Sequence, residues 1–413
     1  MKKVIIFLGN LNIKSSSDKF KLIDTKNKEG KFMKENVKII SLYYPQFYSI
    51  PLNDFHWEKG FTDWTNVKKS KPQYSGHYQP RVPLNKNYYD QSQPKTIEKQ
   101  VELAKKYGID GFCFYHYWFD GELLLEKPVQ NFYENKNLDI KFCLSWANET
   151  WSKRWIGKDN VIMQQQNHIP DKEIWKKHFD YLKEFFKDER YIKIGNKPIF
   201  IIYQPEIIKE FEKMKNYWNE LCKENGLEGI YFIATRSYEF RNKKFVEKNF
   251  NGIFNFQPRQ IYNSSLLKKK SLFSNSFFQK FRVLPEKVLN ELTKLRYKFS
   301  SIERLDYAYV SEKIIEQELK DLNNENIDVF SGFFVGWDNT PRYGNRAKIY
   351  ENATPNNFYK YLKKLIELNE NKRYPYIIIN AWNEWAEGAY LEPDEKYGYQ
   401  FLEKIKELKN EKQ

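Results

Sequence analysis

Short apolar runs recur along the chain, and segments in which apolar residues have a helical spacing lie between them. Eight runs are nearly continuous in apolar residues, and they lie at 37–46, 109–118, 140–149, 198–206, 229–236, 252–258, 329–338 and 374–384. Strands that are buried on both faces have this composition, which is typical of parallel sheets. The pattern therefore predicts eight parallel strands.

Apolar residues repeat at helical spacing between several of these runs. Ile97, Val101 and Ala104 would share one face of a helix that stops near Gly108. Further helical patterns lie at 171–186, after Thr354–Pro355 and at 401–408. Strands that alternate with helices predict an α/β fold, a single (β/α)8 barrel of the TIM type. The alternative is a doubly wound open sheet, although no run leads into GxGxxG or GxxxxGKS/T, the phosphate loops that such sheets often carry.

Two segments are longer than the connections of a minimal barrel. The first βα loop, 47–94, is rich in Pro, Tyr and Trp. A basic segment at 259–310 follows the sixth strand, and its lysines interleave with Leu and Phe, which predicts a helical insertion. This insertion either packs on the barrel or contacts an anionic membrane or a partner protein. Residues 1–36 are predicted to be an N-terminal extension, so that the catalytic domain spans 37–413.

The composition limits the classes of partner. A net charge of +15 is compatible with nucleic acid, an anionic membrane, an acidic glycan or simply a lysine-rich surface. The chain has no zinc-finger spacing, no RNP motif and no basic helix before a heptad pattern, so no nucleic-acid partner is expected. Aromatic residues make up 18% of the chain, and aromatic rings stack well on the apolar faces of sugars.

The cysteines and the apolar segments bear on the cellular compartment. Cys113, Cys143 and Cys222 are odd in number and widely spaced, which predicts buried free thiols in a reducing compartment rather than disulfides or a metal site. The N-terminal apolar core is shorter than that of a secretory signal, and no run reaches transmembrane length. We therefore expect a cytoplasmic protein, with peripheral contact to the inner face of the membrane through 259–310 as an open alternative.

Polar and aromatic residues recur where the predicted strands end. In a (β/α)8 barrel the active site lies at the carboxyl ends of the strands, and a buried polar group without a partner costs about 1–3 kcal/mol. Together with one tryptophan of the first loop, the predicted substrate-binding residues are Tyr44, Trp64, His116, Tyr117, Trp146, Asn148, Glu149, Tyr203, Trp337, Asp338, Arg342 and Asn383. Carboxylates, amides and aromatic rings in one cleft suit a sugar, so an oligosaccharide or polysaccharide substrate is predicted.

Two glutamates in the last run, Glu384 and Glu387, are the predicted catalytic residues. If the chain turns helically there, their Cβ atoms lie about 5–6 Å apart on one face. Carboxyl groups that close suit retaining glycosidic chemistry, because inverting enzymes need about 6.5–9.5 Å to admit a water molecule. Like charges at this distance also raise one pKa, which provides an acid at neutral pH. The alternative is a pair of solvated loop glutamates.

Several of these residues have a structural alternative. His116 is either a sugar ligand or a hydrogen-bonded core residue, and no second His or Cys lies at metal-ligand spacing, so no metal is expected. Glu149 and Asp338 either bind substrate or pair with Arg154 and Arg342. Four tryptophans form either the cores of loops or platforms for sugar rings, and they are Trp57, Trp64, Trp151 and Trp155.

Five motifs in the same order resemble the WbsX family, bacterial proteins that are associated with O-antigen and capsule loci and are named as glycosyltransferases. The motifs lie at 43–84, 108–128, 144–155, 336–344 and 380–394, and they include LSWANETWSKRW and NAWNEWAEGAYLEPD. The resemblance spans about residues 37–405 and leaves out the N-terminal extension and the 259–310 insertion.

The WbsX family is similar in turn to glycoside hydrolase family 99, the endo-α-mannosidases, which have a (β/α)8 fold and need no metal. The family 99 motif N-E-W-x-E-G matches Asn383, Glu384, Trp385, Glu387 and Gly388. The resemblance implies that Glu384 is a base that helps the 2-hydroxyl of the sugar displace the leaving group through an anhydrosugar. It implies that Glu387 first protonates the leaving oxygen and then activates the acceptor.

One position departs from the hydrolase pattern, because the hydrolases commonly have His where this chain has Ala386. The acceptor is therefore either water or another sugar hydroxyl. The leading hypothesis is a retaining carbohydrate-active enzyme without a cofactor, which cleaves or transfers glycosidic bonds of a bacterial surface polysaccharide or its precursor. The substrate is either a free or a lipid-linked oligosaccharide or polysaccharide. The first alternative is a nucleotide-sugar or lipid-linked-sugar glycosyltransferase, although the chain has no DxD motif. The second is a non-catalytic glycan-binding scaffold.

Overall fold

The computed structural model describes residues 36–153, 158–267, 302–322, 324 and 326–411. The predicted N-terminal extension, apart from residue 36, lies outside the described residues, and so do Arg154 and Trp155. Residues 268–301, the larger part of the predicted insertion, lie outside them as well. At its other end, residues 307–310 belong to a barrel helix rather than to an insertion.

Eight parallel strands form a closed barrel, as the apolar runs predict. The barrel strands are β1 (Lys38–Tyr43), β2 (Gly111–Phe119), β3 (Lys141–Trp146), β4 (Lys197–Ile202), β5 (Tyr231–Arg236), β6 (Gly252–Asn255), β7 (Asp328–Phe334) and β8 (Tyr376–Asn380). Each pairs in parallel with the next, and β8 closes the barrel by pairing with β1, where Ile378 lies opposite Ile40. The prediction of a single (β/α)8 barrel is therefore confirmed, and the open sheet is excluded.

A helix follows every barrel strand and covers the outside of the barrel. These helices are α1 (Pro94–Lys106), α2 (Lys127–Glu134), α3 (Lys172–Lys187), α4 (Phe211–Glu224), α5 (Lys243–Asn249), α6 (Tyr307–Asp321), α7 (Pro355–Asn369) and α8 (Gln400–Asn410). Their boundaries follow from local chemistry. Thr354 accepts a hydrogen bond from the backbone N–H of Asn357 at the start of α7, and Gly108 follows α1 with a φ of +86°.

The barrel wall requires a small residue where its strands approach most closely. A Cβ atom added at Gly332 in β7 would lie 1.7 Å from the carbonyl oxygen of Asn255, the last residue of β6. No side chain fits that space, so glycine is needed there for packing rather than for backbone freedom. The outward faces of the strands pack their apolar side chains against the helices, as Phe142 of β3 does against Phe132 of α2.

The loops between the barrel elements contain short elements of their own. The short helices are Pro51–His56, Asp63–Lys69, Arg259–Asn263 and Thr340–Tyr343, with 3-10 turns at Leu84–Lys86, Pro205–Ile207, Gly344–Arg346 and Trp385–Glu387. The short strands are Glu122–Leu124, Trp151–Lys153, Lys158–Gln164, Lys193–Ile194, Glu303–Asp306, Trp337–Asp338, Lys348–Glu351, Asn383–Glu384 and Ala389–Tyr390. Most of them lie after barrel strands, at the end of the barrel where the predicted site is.

Cys113, Cys143 and Cys222 are buried and carry free thiols. Within the part of the chain that the structure describes, no helix combines the length and the apolar character that a membrane crossing needs.

Candidate active site

A cavity of about 170 Å³ lies at the carboxyl ends of the barrel strands. It brings together eight of the predicted site residues, which are Tyr44, Tyr117, Glu149, Tyr203, Trp337, Arg342, Glu384 and Glu387. Aromatic side chains from the first and third loops, Trp57 and Trp151, form part of its wall. The cavity thus combines carboxylates, guanidinium groups and rings in one place.

The two predicted catalytic glutamates lie on one tight turn after β8. Glu384 ends a short strand that pairs with Ala389–Tyr390, and Glu387 ends the 3-10 turn that follows it. Gly388 closes this turn with a φ of +62°, in the left-handed region that favours glycine. A Cβ atom there would also lie 3.0 Å from both Cβ and the backbone nitrogen of Asp338. The glycine of the motif therefore allows the turn that directs both carboxylates into the cavity.

Arg342 connects both glutamates with a third carboxylate. Its Nη1 donates to Glu387 at 2.7 Å, and its Nη2 donates to Glu384 at 3.2 Å and to Asp63 at 2.7 Å. The guanidinium is almost fully buried, and Asp63 is not exposed at all. One cation from the loop after β7 thus holds three acidic side chains from two other loops, and it orients Glu384 and Glu387 relative to each other.

The electrostatic environment of Glu384 increases the affinity of its carboxylate for a proton. Burial raises the pKa of the Glu384 carboxyl well above its ordinary value, Arg342 opposes this shift, and Glu387 and Asp63 raise the pKa further. A carboxylate with a raised pKa is a stronger base, so this position suits a group that accepts a proton.

A second buried carboxyl supports the turn from behind. Glu392 accepts hydrogen bonds from Trp385 Nε1 at 2.7 Å, from the Tyr89 hydroxyl at 2.7 Å and from Gln100 Nε2 at 2.6 Å. Burial raises the pKa of Glu392 to about 7, although these three donors act in the opposite direction. Trp385 also stacks on Tyr390 with ring centroids 3.8 Å apart. The indole between the two glutamates is therefore fixed and contributes to the support of the turn.

Two predicted sugar-binding amides instead hold neighbouring strand ends together. Asn383 accepts from the backbone N–H of Tyr44 at 2.8 Å and donates to the carbonyl of the same residue at 2.8 Å. Asn148 has the same pair of bonds with Gln204, at 2.7 and 2.9 Å. Both amides are fully buried and do not line the cavity. Their role is to position Tyr44 and the end of β4.

His116 and Trp146 point away from the cavity, because successive side chains of a strand face opposite sides. Tyr117 lines the cavity, whereas His116 contacts His178 of α3 with 2.8 Å between their Nε2 atoms. Burial lowers the pKa of His116 to about 3. Trp146 donates from Nε1 to the carbonyl of Trp118 at 3.0 Å. Both residues therefore belong to the packed layer between barrel and helices.

Trp64 and Asp338 also lie behind the cavity wall. The Trp64 indole packs between Phe47 and Trp385, with centroid distances of 4.4 and 5.4 Å. Asp338 contacts His77 Nε2 at 2.8 Å and accepts from the Thr340 hydroxyl at 2.7 Å. Neither residue lines the cavity. They hold the first loop and the β7 loop against the catalytic turn.

The pKa of Asp338 agrees with a structural role. Burial opposes its charged form, yet the hydrogen bonds from His77 and Thr340 and the nearby guanidinium of Arg81 lower the pKa to about 2. The carboxylate remains charged throughout the neutral range, so it anchors two loops rather than transferring protons. The structural alternative of an Asp338–Arg342 pair is wrong, because the arginine near Asp338 is Arg81, whose Nη2 lies 3.6 Å from Oδ2 of Asp338.

Sequence reasoning missed two charged residues of the site. Asp63 is the first residue of helix Asp63–Lys69, where an acidic residue favours the helix start, and this local role conceals its contact with Arg342. Arg259 lies at the start of the predicted basic insertion, yet its side chain lines the cavity. Arg259 lies three residues after Phe256, at the end of the sixth apolar run, and Phe256 also lines the cavity. This closeness to a strand end is the feature of the sequence that could have identified Arg259 as a site residue.

A family model described as Glycosyltransferase WbsX matches residues 39–405 of this chain. Two curated relatives, each described as the uncharacterized protein WxcX of Xanthomonas campestris pv. campestris and coming from different strains, are 30% identical over 368 residues. The match covers 88% of this chain and 48% of each relative. The chain thus spans about half the length of the curated relatives it matches.

Solved structures with a similar fold include a GH99 endo-alpha-mannosidase from Bacteroides thetaiotaomicron. It is 15% identical, with a TM-score of 0.53 over 90% of this chain and 96% of that one. A structure described as a glycoside hydrolase-like protein is 10% identical, with a TM-score of 0.56 over 92% of this chain and 96% of that one. At these identities the likeness concerns the fold, and it agrees with the closed barrel described above.

Proposed function

This chain belongs to the WbsX glycosyltransferase family, and from that premise and the geometry of its cavity we propose that it cleaves or transfers glycosidic bonds with retention, using Glu384 and Glu387. The substrate we propose is a bacterial surface polysaccharide or its precursor. The observation that carries this proposal is the pair of carboxylates on one turn, both bonded to Arg342 and both facing one cavity.

The proposed first step uses Glu384 as a base. It takes the proton of the sugar 2-hydroxyl while that oxygen bonds to the anomeric carbon and the glycosidic bond breaks. Glu387 gives its proton to the departing oxygen, so no charge accumulates on the leaving group. The raised pKa of Glu384 supports this role, because a more basic carboxylate accepts the hydroxyl proton more readily.

The second step reverses the proton transfers. An acceptor oxygen attacks the anomeric carbon of the anhydrosugar and loses its proton to Glu387, while Glu384 returns a proton to the 2-oxygen. Two inversions at the anomeric carbon give overall retention. The acceptor is water in a hydrolase and a sugar hydroxyl in a transferase, and Ala386 leaves no side chain beyond Cβ between Trp385 and Glu387.

A second candidate is a glycosyltransferase that uses an activated donor, which the description of the family favours. A diphosphate-linked donor carries two or more negative charges, and the cavity already contains Glu149, Glu384 and Glu387. These three carboxylates outnumber the two guanidinium groups of the cavity, Arg259 and Arg342, so the charge of the cavity disfavours a diphosphate and supports the glycosidase-like hypothesis. Because the site retains both carboxylates on a shared cation, a purely binding role is less well supported.

The test compares Glu384→Gln and Glu387→Gln with wild type on the surface polysaccharide of the organism that encodes the chain. Glu403→Gln is the matched control, because this glutamate is exposed on α8 and does not line the cavity. We expect both site variants to lose at least about a hundredfold in turnover, measured by product chain length and by new reducing ends. NMR of the product anomer reports retention. If both variants act on the glycan like wild type, the proposed function is wrong.

A further inference from the structure

A second arginine, Arg259, lines the catalytic cavity without a place in the proposed proton transfers. It is the first residue of helix Arg259–Asn263, immediately after β6 and the turn at Gln257–Pro258. Asn263 Nδ2 donates to its backbone carbonyl at 2.9 Å, and Gln257 accepts from the N–H of Ile261 at 3.2 Å. The backbone that carries this arginine is therefore held in place, and its guanidinium is directed into the cavity.

The two arginines of the cavity have different partners. Arg342 bonds to three carboxylates, as described above. Within the described ranges, the side-chain hydrogen bond that the structure shows for Arg259 goes from Nη1 to the hydroxyl of Tyr203, which is a neutral partner. None of the carboxylates in those ranges forms an ion pair with it at 4.0 Å or less. The guanidinium thus retains donor groups that can bind a ligand in the cavity.

Arg259 is partly buried, so its guanidinium has lost part of its contact with water. Removing a guanidinium from water costs several kcal/mol unless a charged partner compensates it. Glu387 and Glu149 attract it electrostatically across the cavity but do not bond to it. A planar guanidinium binds a carboxylate through two parallel hydrogen bonds. Phe256 also lines the cavity.

From this geometry we infer that Arg259 binds the carboxylate of an acidic sugar, so that the substrate contains a hexuronic acid or a similar acidic residue. The inference rests on the proposed function, since it names the substrate class of the same cavity. The single negative charge of a carboxylate matches the single guanidinium. A diphosphate carries more charge and would lie near Glu149 and Glu387, which disfavours it as the source of the anion.

The experiment measures binding of small probes to the full chain at about pH 7 by ligand-observed NMR titration, where hexuronic acids are ionised. The probes are glucuronate, galacturonate and mannuronate, with glucose, galactose and mannose as their neutral counterparts, and UDP as a diphosphate. The variants are Arg259→Gln, which removes the charge, and Arg259→Lys, which keeps the charge but loses the planar fork. Arg241→Gln is the control, because Arg241 is exposed and does not line the cavity.

We expect at least one hexuronate to bind about tenfold or more tightly than its neutral counterpart, which is the gain of a charge-assisted hydrogen bond. Arg259→Gln should remove this preference, Arg259→Lys should reduce it, and Arg241→Gln should keep it. If Arg259→Gln does not fold, as judged by circular dichroism, the lysine variant decides.

Three results would overturn the inference. They are equal binding of hexuronates and neutral hexoses, a preference that survives the change of Arg259, and Arg259-dependent binding of UDP that matches or exceeds that of every hexuronate. Turnover by Glu387→Gln separates the two proposals. If that variant is inactive but Arg259 does not affect the preference, only the acidic-sugar inference fails. If that variant is as active as wild type, the proposed function fails whatever the probes show.

Discussion

Arg342 is the residue whose replacement tests the charge arrangement of the site most directly. Its guanidinium bonds to Asp63, Glu384 and Glu387 at distances of 2.7, 3.2 and 2.7 Å. Glutamine in its place would leave three acidic side chains near one another without the cation between them. We therefore expect Arg342→Gln to destabilise the fold and to change how stability depends on pH.

The magnitude follows from burial. Removing one partner of a buried ion pair costs about 3–5 kcal/mol, because the remaining charge is left uncompensated. Asp63 is fully buried and Glu384 nearly so, hence we expect the free energy of unfolding to fall by at least about 3–5 kcal/mol at about pH 8. This is a large fraction of the roughly 5–15 kcal/mol that stabilises a typical domain.

The sign of the pH dependence can be worked out from Glu384. Its pKa already lies above the ordinary value because of burial, and Arg342 acts to lower it. Loss of Arg342 raises this pKa further, so the stability that comes from proton binding is present at low pH and is lost as the pH rises through the folded-state pKa. The deficit of Arg342→Gln relative to wild type should therefore be smaller at about pH 5 than at about pH 8.

Urea unfolding at both pH values measures this deficit. Adding Asp63→Asn to Arg342→Gln removes one of the uncompensated charges, so the double variant should recover at least about 1 kcal/mol relative to additivity. Arg241→Gln is an exposed control and should stay within about 0.5 kcal/mol of wild type. Arg342→Lys keeps the positive charge without the planar guanidinium, so its free energy of unfolding should lie between those of wild type and Arg342→Gln. A deficit of Arg342→Gln below about 1 kcal/mol that does not change with pH would refute this account.

Two further predictions concern the support of the catalytic turn. Burial raises the pKa of Glu392 from its ordinary value of 4.5 to about 7, so wild type loses stability as the pH rises through that interval. The free energy of unfolding of Glu392→Gln should therefore gain about 3 kcal/mol relative to that of wild type between about pH 4.5 and 7. Urea unfolding across that interval measures this change, and an equal dependence of stability on pH in the two proteins would contradict it. Gly388→Ala places a Cβ atom 3.0 Å from Asp338 at a φ of +62°, so we expect a loss of about 1–3 kcal/mol in stability and a clear fall in turnover. Thermal unfolding and a glycan assay measure these two effects. Wild-type values in both measurements would contradict the prediction.

The strands and helices were predictable because burial on both faces leaves a strong local pattern. Runs such as that at 198–206 overlap with strands such as β4, and the apolar face with Ile97 and Val101 belongs to α1. The position of the site at the carboxyl ends of the strands also follows from the topology of such a barrel. Within the site, the spacing of Glu384 and Glu387 on one turn was accessible from the sequence alone.

The direction of individual side chains was less accessible, since a shift of one residue moves a side chain to the other face of a strand. His116 and Tyr117 are adjacent, yet the first contacts α3 and the second lines the cavity. The sequence gives both the same context of apolar and aromatic neighbours. Asn148 and Asn383 illustrate a related limit, because a polar residue at a strand end satisfies a neighbouring backbone as readily as a ligand.

By itself the sequence determined the eight-stranded α/β barrel, the family of the chain and the turn that carries Glu384 and Glu387, because these depend on local patterns and on contiguous motifs. Only the tertiary structure decided that Arg342 is shared by Asp63 and both glutamates, although Asp63 and Arg342 are 279 residues apart. It also decided that Arg259 faces the cavity. The physical reason is that charge pairing depends on distance in space, and closure of the barrel brings separate loops to one place.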